Sequence, residues 1–180
     1  MKAILLSGVH GVGKSFLLES MKTALSEYIV YSASSLIEKY KVSADAGYKK
    51  VRDVKKNQQI LIEAIKHEMV HGHNNFIIDG HLCLLNANND VERIPEFFFE
   101  QTGISNIILL QDDPVSICDR IRGRDGQSLS IEIIDNLQSN ESIYADELKQ
   151  EYGMNILRIS PKDNYEDIVF WLKNVGDESE

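Results

Sequence analysis

Gly8-Val9-His10-Gly11-Val12-Gly13-Lys14-Ser15 reads G-x-x-x-x-G-K-S and follows directly on the short apolar run Lys2–Ser7. A buried strand feeding such a glycine-rich turn forms a phosphate-binding loop. The glycines let the backbone turn tightly and bring successive N–H groups onto the β- and γ-phosphates of a nucleotide, with the positive end of the next helix behind them. Lys14 adds a mobile point charge at the β/γ bridge, and the Ser15 hydroxyl is a hard oxygen suited to Mg²⁺. The segment that follows, with Phe16, Leu17, Met21 and Leu25, is amphipathic. Gly8, His10, Gly11, Val12, Gly13, Lys14, Ser15 and Phe16 are therefore the expected nucleotide cradle, with ATP and Mg²⁺ as the expected cofactors.

The 180 residues read as one domain, large enough to bury a core of its own. The expected domain is 1–175, with a short flap near 120–130 and a frayed tail at 176–180. A hydrophobic fraction of 43% with 26% charged residues is that of an ordinary soluble globular protein. The net charge of −9 means that a polyanionic ligand meets no general basic field, so phosphate affinity has to be local. The same acidity argues against a nucleic-acid groove, which needs clustered Lys and Arg. Lys49, Lys50, Arg52, Lys55 and Lys56 form the dense basic patch of the chain. Cys83 and Cys118 lack C-x-x-C spacing and read as buried or semi-buried thiols in a reducing compartment. The apolar start is too short for a signal sequence, and nothing approaches the ~20 apolar residues of a membrane span. A cytoplasmic location without membrane contact is expected.

Apolar β-type runs alternate with helix-period segments from end to end, which predicts a parallel sheet with helices on both faces, five strands in all. The strands are expected at Lys2–Ser7, Tyr28–Ser32, Asn75–Asp79, Asn106–Gln111 and Asn155–Ile159. Helices are expected over Ser15–Glu27, within Val51–Val70, and over Asn164–Lys173. Ser35-Leu36-Ile37-Glu38 has capping-box form ahead of another, short helix. Pro95 reads as a first-turn residue of a helix carrying Phe97, Phe98 and Phe99, and Asp113-Pro114 as an N-cap with proline at the first position. Ile134, Leu137, Tyr144 and Leu148 mark a long helix after Gly123–Ser130.

Three further constellations carry chemistry. Phe76-Ile77-Ile78-Asp79-Gly80-His81 is an apolar strand ending in Asp, and at the carboxyl edge of an α/β sheet that carboxylate points into the ligand crevice. There Asp79 can hold a Mg²⁺-bound water or orient a phosphoryl acceptor, with His81 at the crevice mouth. Arg120 and Arg124 are spaced i,i+4 and share a helix face, while Gly123 and Gly126 bracket a segment expected to move. Arginines on such a flap surround the equatorial oxygens of a transferring phosphoryl group. In the basic segment Tyr48–Lys56, Arg52 is a candidate for the second substrate.

The order of these parts resembles the nucleoside-monophosphate-kinase branch of P-loop proteins, and most nearly the archaeal-type adenylate kinases. The resemblance rests on Gly8–Ser15, on Asp79-Gly80-His81, and on Arg120 with Arg124. It implies that Lys14 and Ser15 bind ATP·Mg²⁺, that Asp79 lies at the metal or acceptor site, that Arg52 meets the acceptor phosphate, and that Arg120 and Arg124 close over the phosphoryl group. Such kinases usually carry an arginine on the helix after the flap, and Gln138–Gln150 contains none.

The expectation is thus an ATP·Mg²⁺-dependent phosphotransferase acting on a nucleotide, AMP among them, or on another small molecule. A GTPase is disfavoured, because Pro161-Lys162-Asp163-Asn164 is not N-K-x-D, and the length leaves no room for the helical lid of a large ATPase motor. The competing reading is a nucleotide-binding switch that hydrolyses ATP slowly and signals to a protein partner. Phe97–Phe99 discriminates in part: core rings favour the enzyme, and an exposed patch favours the partner surface.

Overall fold

Side chains alternate between the two faces of a strand, so a strand buried at every position is covered on both sides. Ala3–Ser7 and Asn106–Leu110 are buried throughout, which places them at the centre of a covered parallel sheet. The computed structural model describes residues 2–44, 54–70, 75–86, 88–126 and 129–175. Its main sheet has five parallel strands: β1 (Lys2–Ser7), β2 (Ile29–Ser32), β3 (Asn75–Asp79), β6 (Asn106–Leu110) and β7 (Asn155–Ile159). They lie in the order β2-β3-β1-β6-β7, as the alternation in the sequence predicts. Asp79 pairs with Leu6 on one side and Ser32 on the other. The carboxyl ends of three strands therefore meet on one edge, beside the phosphate loop.

The helices are α1 (Lys14–Ser20), α2 (Ala33–Ala44), α3 (Val54–Val70), α4 (Phe97–Thr102), α5 (Pro114–Asp125), α6 (Ile131–Tyr152) and α7 (Tyr165–Asn174). α5, α6 and α7 start at side-chain caps that polar residues provide. Asp113 accepts from Ser116 N–H, Ser130 from Ile133 N–H, and Asn164 from Glu166 N–H. Phe98 and Phe99 are 0% and 3% exposed and belong to the core, with Phe97 half-buried against it. Cys83 and Cys118 are buried thiols, outside any disulfide among the described residues. Among the described residues no helix is long and apolar enough to cross a membrane.

Two expected helix bounds are corrected. The first helix does not run over Ser15–Glu27: it ends at Ser20, and the chain continues in turns such as Lys22 N–H to Glu19 O and Ser26 N–H to Thr23 O. Met21 and Leu25 still reach the core from those turns, so the apolar spacing persists after the helix has stopped. Ser35 does not open a helix either. α2 begins two residues earlier, because Ser32 Oγ takes the Ser35 N–H at 3.4 Å and supplies the cap. A two-stranded antiparallel hairpin, β4 (Cys83–Leu85) with β5 (Val91–Arg93), was not expected. Its strands are three residues each, too short to show alternation, and it packs on α6.

Candidate functional site

The phosphate loop is held from below by apolar side chains and bent by glycine. Val9 and Val12 are 3% and 0% exposed and anchor the loop in the core, whereas His10 is exposed. Gly11 (φ 81°) adopts a conformation that L side chains rarely enter. A Cβ on Gly8 would lie 2.5 Å from the Leu110 carbonyl oxygen, and one on Gly11 would run into the Ile121 side chain. Both glycines are therefore required by close approach. Gly13 (φ 117°), where a Cβ would meet nothing within 4 Å, faces open space at the start of α1. No side chain caps that end of α1.

The loop opens on a cavity of about 500 Å³ lined by Lys14, Ser15, Phe16, Asp79, Arg120 and Arg124, with His10, Ser32, Ser34 and His81 among the other walls. Lys14 Nζ donates to Gly8 O at 2.6 Å and lies 3.8 Å from Asp79 Oδ1. Burial pulls Lys14 below the usual lysine range, and the carboxylates of Asp79 and Glu141 oppose that shift. Burial likewise raises Asp79, with Lys14 opposing. The structure thus brings together a cation and a carboxylate that 65 residues of sequence separate.

Ser15 and Asp79 are a hydroxyl and a carboxylate, the hard oxygen donors that Mg²⁺ takes. Among the described residues no group of three or more His, Cys, Asp or Glu side chains is placed to hold a metal ion.

Arg120 and Arg124 lie on one face of α5, as their spacing predicts, and both contact the phosphate loop. Arg120 Nε donates to Gly11 O at 3.0 Å, and its guanidinium pairs with Asp112 at 2.7 Å. Asp112 is held in turn by Gln138, whose amide exchanges two hydrogen bonds with the Asp112 backbone. Arg124 contacts His10 Nε2. Arg122 points elsewhere, to Asp119 and the Cys118 sulfur. Gly123 does not begin a separate flap: it lies inside α5, which ends at Gly126 in the left-handed region with its N–H on Arg122 O. Continuous i,i+4 bonding carries the helix through a residue of poor propensity.

His81 is half-buried and lines the cavity. Its pKa is pushed down to about 3, first by burial and then by the Lys14 charge. It is therefore neutral. Arg52 and the neighbouring Lys49 and Lys50 lie outside the described residues.

The sequence reading passed over a third carboxylate. Glu141 on α6 is 0% exposed, and its Oε1 accepts from Ser7 Oγ at 2.8 Å and Leu82 N–H at 2.9 Å. A signal for it existed. Ile134, Leu137, Gln138, Glu141, Tyr144, Ala145 and Leu148 are the buried residues of α6, so Glu141 occupies a position of the apolar stripe, four after Leu137 and three before Tyr144.

A family model described as an AAA domain matches residues 7–138. Among solved structures, the chain is similar to a gluconokinase from Sinorhizobium meliloti 1021, at 14% identity and a TM-score of 0.57, covering 99% of this chain and 98% of that one. It is also similar to the tunicamycin resistance protein of Deinococcus radiodurans, at 14% identity and a TM-score of 0.63, covering 97% and 95%. No curated protein matches the chain. The family match spans the phosphate loop, Asp79 and both α5 arginines, and with the five-stranded parallel sheet it establishes that the chain belongs to the AAA domain family and has the α/β P-loop NTPase fold.

Proposed function

We propose that the protein is an ATP·Mg²⁺-dependent phosphotransferase, adenylate kinase-like in its parts, acting on a nucleotide or another small molecule. The observation that carries this reading is the convergence of Lys14, Asp79, Arg120 and Arg124 on one cavity above the phosphate loop. Lys14 leaves Gly8 O for the β/γ bridge of the nucleotide, where a positive charge acts on oxygens that gain negative charge during transfer. Ser15 and Asp79 would hold Mg²⁺, which would supply positive charge to neutralise the phosphate oxygens. Arg120 and Arg124 meet the equatorial oxygens, while Asp79, Ser32 and Ser34 face the acceptor side, where neutral His81 can accept or donate a hydrogen bond. The kinase among the structural neighbours supports the same reading. With Phe98 and Phe99 in the core and Phe97 half-buried against it, the phenylalanine cluster favours the enzyme over a switch protein. We place the domain at 1–175, with Arg52 as a candidate for acceptor binding.

The test is ADP formation from ATP·Mg²⁺ with each of a panel of nucleoside monophosphates, nucleosides and polyols, AMP first. One acceptor raising the rate well above the acceptor-free rate is the expected result; no acceptor doing so defeats the transferase reading. Nucleotide should also stabilise the fold by about 2.7 kcal/mol at a hundredfold excess over its dissociation constant, or roughly 5–10 °C in Tm at this chain length.

Phe16 stands 68% exposed on the wall of this cavity, an unusual position for a ring that would gain by burial. It is placed to stack on the nucleotide base or ribose. Phe16→Ala is expected to weaken ATP binding by about tenfold, the scale of one lost aromatic–base stack, while tripolyphosphate, which has no base, binds as before. Equal losses for both ligands would show that Phe16 supports the loop and does not touch the base.

A further inference from the structure

Taking a carboxyl group out of water is costly unless its lone pairs find partners. Glu141 satisfies one oxygen and leaves the other, Oε2, without a hydrogen-bond partner among the described residues. Burial raises its pKa, against the pull of its donors and of Lys14. An apolar side chain of similar volume would remove this cost. The position therefore calls for an explanation beyond packing.

The contacts of Oε1 supply one. Ser7 is the last residue of β1 and immediately precedes Gly8, whose carbonyl holds Lys14 Nζ at 2.6 Å. Leu82 is three residues beyond Asp79, the last residue of β3, and its N–H is shared between Ser7 Oγ at 2.7 Å and Glu141 Oε1 at 2.9 Å. One carboxyl oxygen thus joins the strand end that carries Lys14 to the turn that follows Asp79. It does so from α6, whose Gln138, one turn earlier, holds Asp112 and through it Arg120. Two polar residues on one helix face reach the supports of three of the four groups proposed to act on the phosphoryl group.

We propose that Glu141 is a positioning residue, which fixes the separation of Lys14 and Asp79 by tying Ser7 and Leu82 to α6. The proposal rests on the phosphotransferase reading for its consequence in turnover, but not for the structural link itself. A displacement of about 1 Å between groups that must act together costs on the order of 100-fold in rate. Glu141 does this without touching substrate.

Two substitutions separate positioning from plain stability. Glu141→Gln keeps an acceptor oxygen for Ser7 and Leu82, and Glu141→Leu keeps the volume but removes the acceptor. The expected result for Glu141→Leu is a kcat lower by about 100-fold with a Tm at or above that of the wild type, since a buried charge has been replaced by an apolar group. Glu141→Gln should restore kcat to within about threefold, with KM for ATP little changed in either variant. Amide hydrogen exchange provides a readout that does not need activity: the Leu82 and phosphate-loop amides should exchange about tenfold faster in Glu141→Leu and not in Glu141→Gln. The idea is overturned if Glu141→Leu has wild-type kcat, if its activity falls only together with Tm, or if the Gln variant is as impaired as the Leu variant. Should the wild type transfer no phosphoryl group at all, the function reading fails, and the exchange rates alone still decide whether Glu141 holds the two strand ends.

Discussion

Lys14→Ala is expected to lower kcat by on the order of 100- to 1,000-fold, the loss that follows removal of one preorganised donor from a site of developing charge. Lys14 is only 10% exposed, and its amino group lies against a backbone carbonyl and the Asp79 carboxylate. The bend itself is set by Gly8 and Gly11 and by the buried Val9 and Val12. The fold should therefore persist. Truncation leaves Asp79 without its nearby cation, so some compensation through protonation of Asp79 is expected, in line with the raised pKa that burial already gives it. Steady-state ADP formation with the acceptor found by the panel, together with a melting curve, checks both parts. A variant that turns over like the wild type would remove the phosphate loop from the chemistry.

Arg124→Ala should cost kcat about 100-fold or more while changing ATP affinity little, because charge on the equatorial oxygens is fully developed only in the transition state. Arg120→Ala should be similarly damaging, with a further effect on ATP binding, since Arg120 also holds the Gly11 carbonyl and thereby the loop. Arg122 is the internal control. It sits on the same helix with the same charge but reaches Asp119 and Cys118, so Arg122→Ala should remain near wild type. If Arg122→Ala proves the most damaging of the three, or if none has an effect, the arginines act on something other than a phosphoryl group and the nucleotide-switch reading regains ground.

The parts legible from sequence are those with local causes. G-x-x-x-x-G-K-S after an apolar run specifies its own turn, because backbone conformation and the type of each residue suffice to define it. The central strands are readable for a related reason: in a parallel sheet covered on both faces they are continuous apolar runs, and Lys2–Ser7 and Asn75–Asp79 keep their expected bounds, as does the more exposed edge strand Asn155–Ile159. The i,i+4 spacing of Arg120 and Arg124 placed them on one face of a helix, where they are found.

What only the tertiary structure decided is which distant groups share a hydrogen bond. Local spacing could not show that Arg120 reaches Gly11 and Asp112, that Gln138 anchors Asp112, or that Gly123 would be carried through inside α5. The hairpin of β4 and β5 depends on its docking against α6, since three-residue strands have no stability of their own. Glu141 makes the distinction clearest. Its sequence position announces a carboxylate on an apolar stripe, but its partners, Ser7 and Leu82, lie 134 and 59 residues away, and only assembly of the sheet and packing of α6 on β6 and β7 bring the three together.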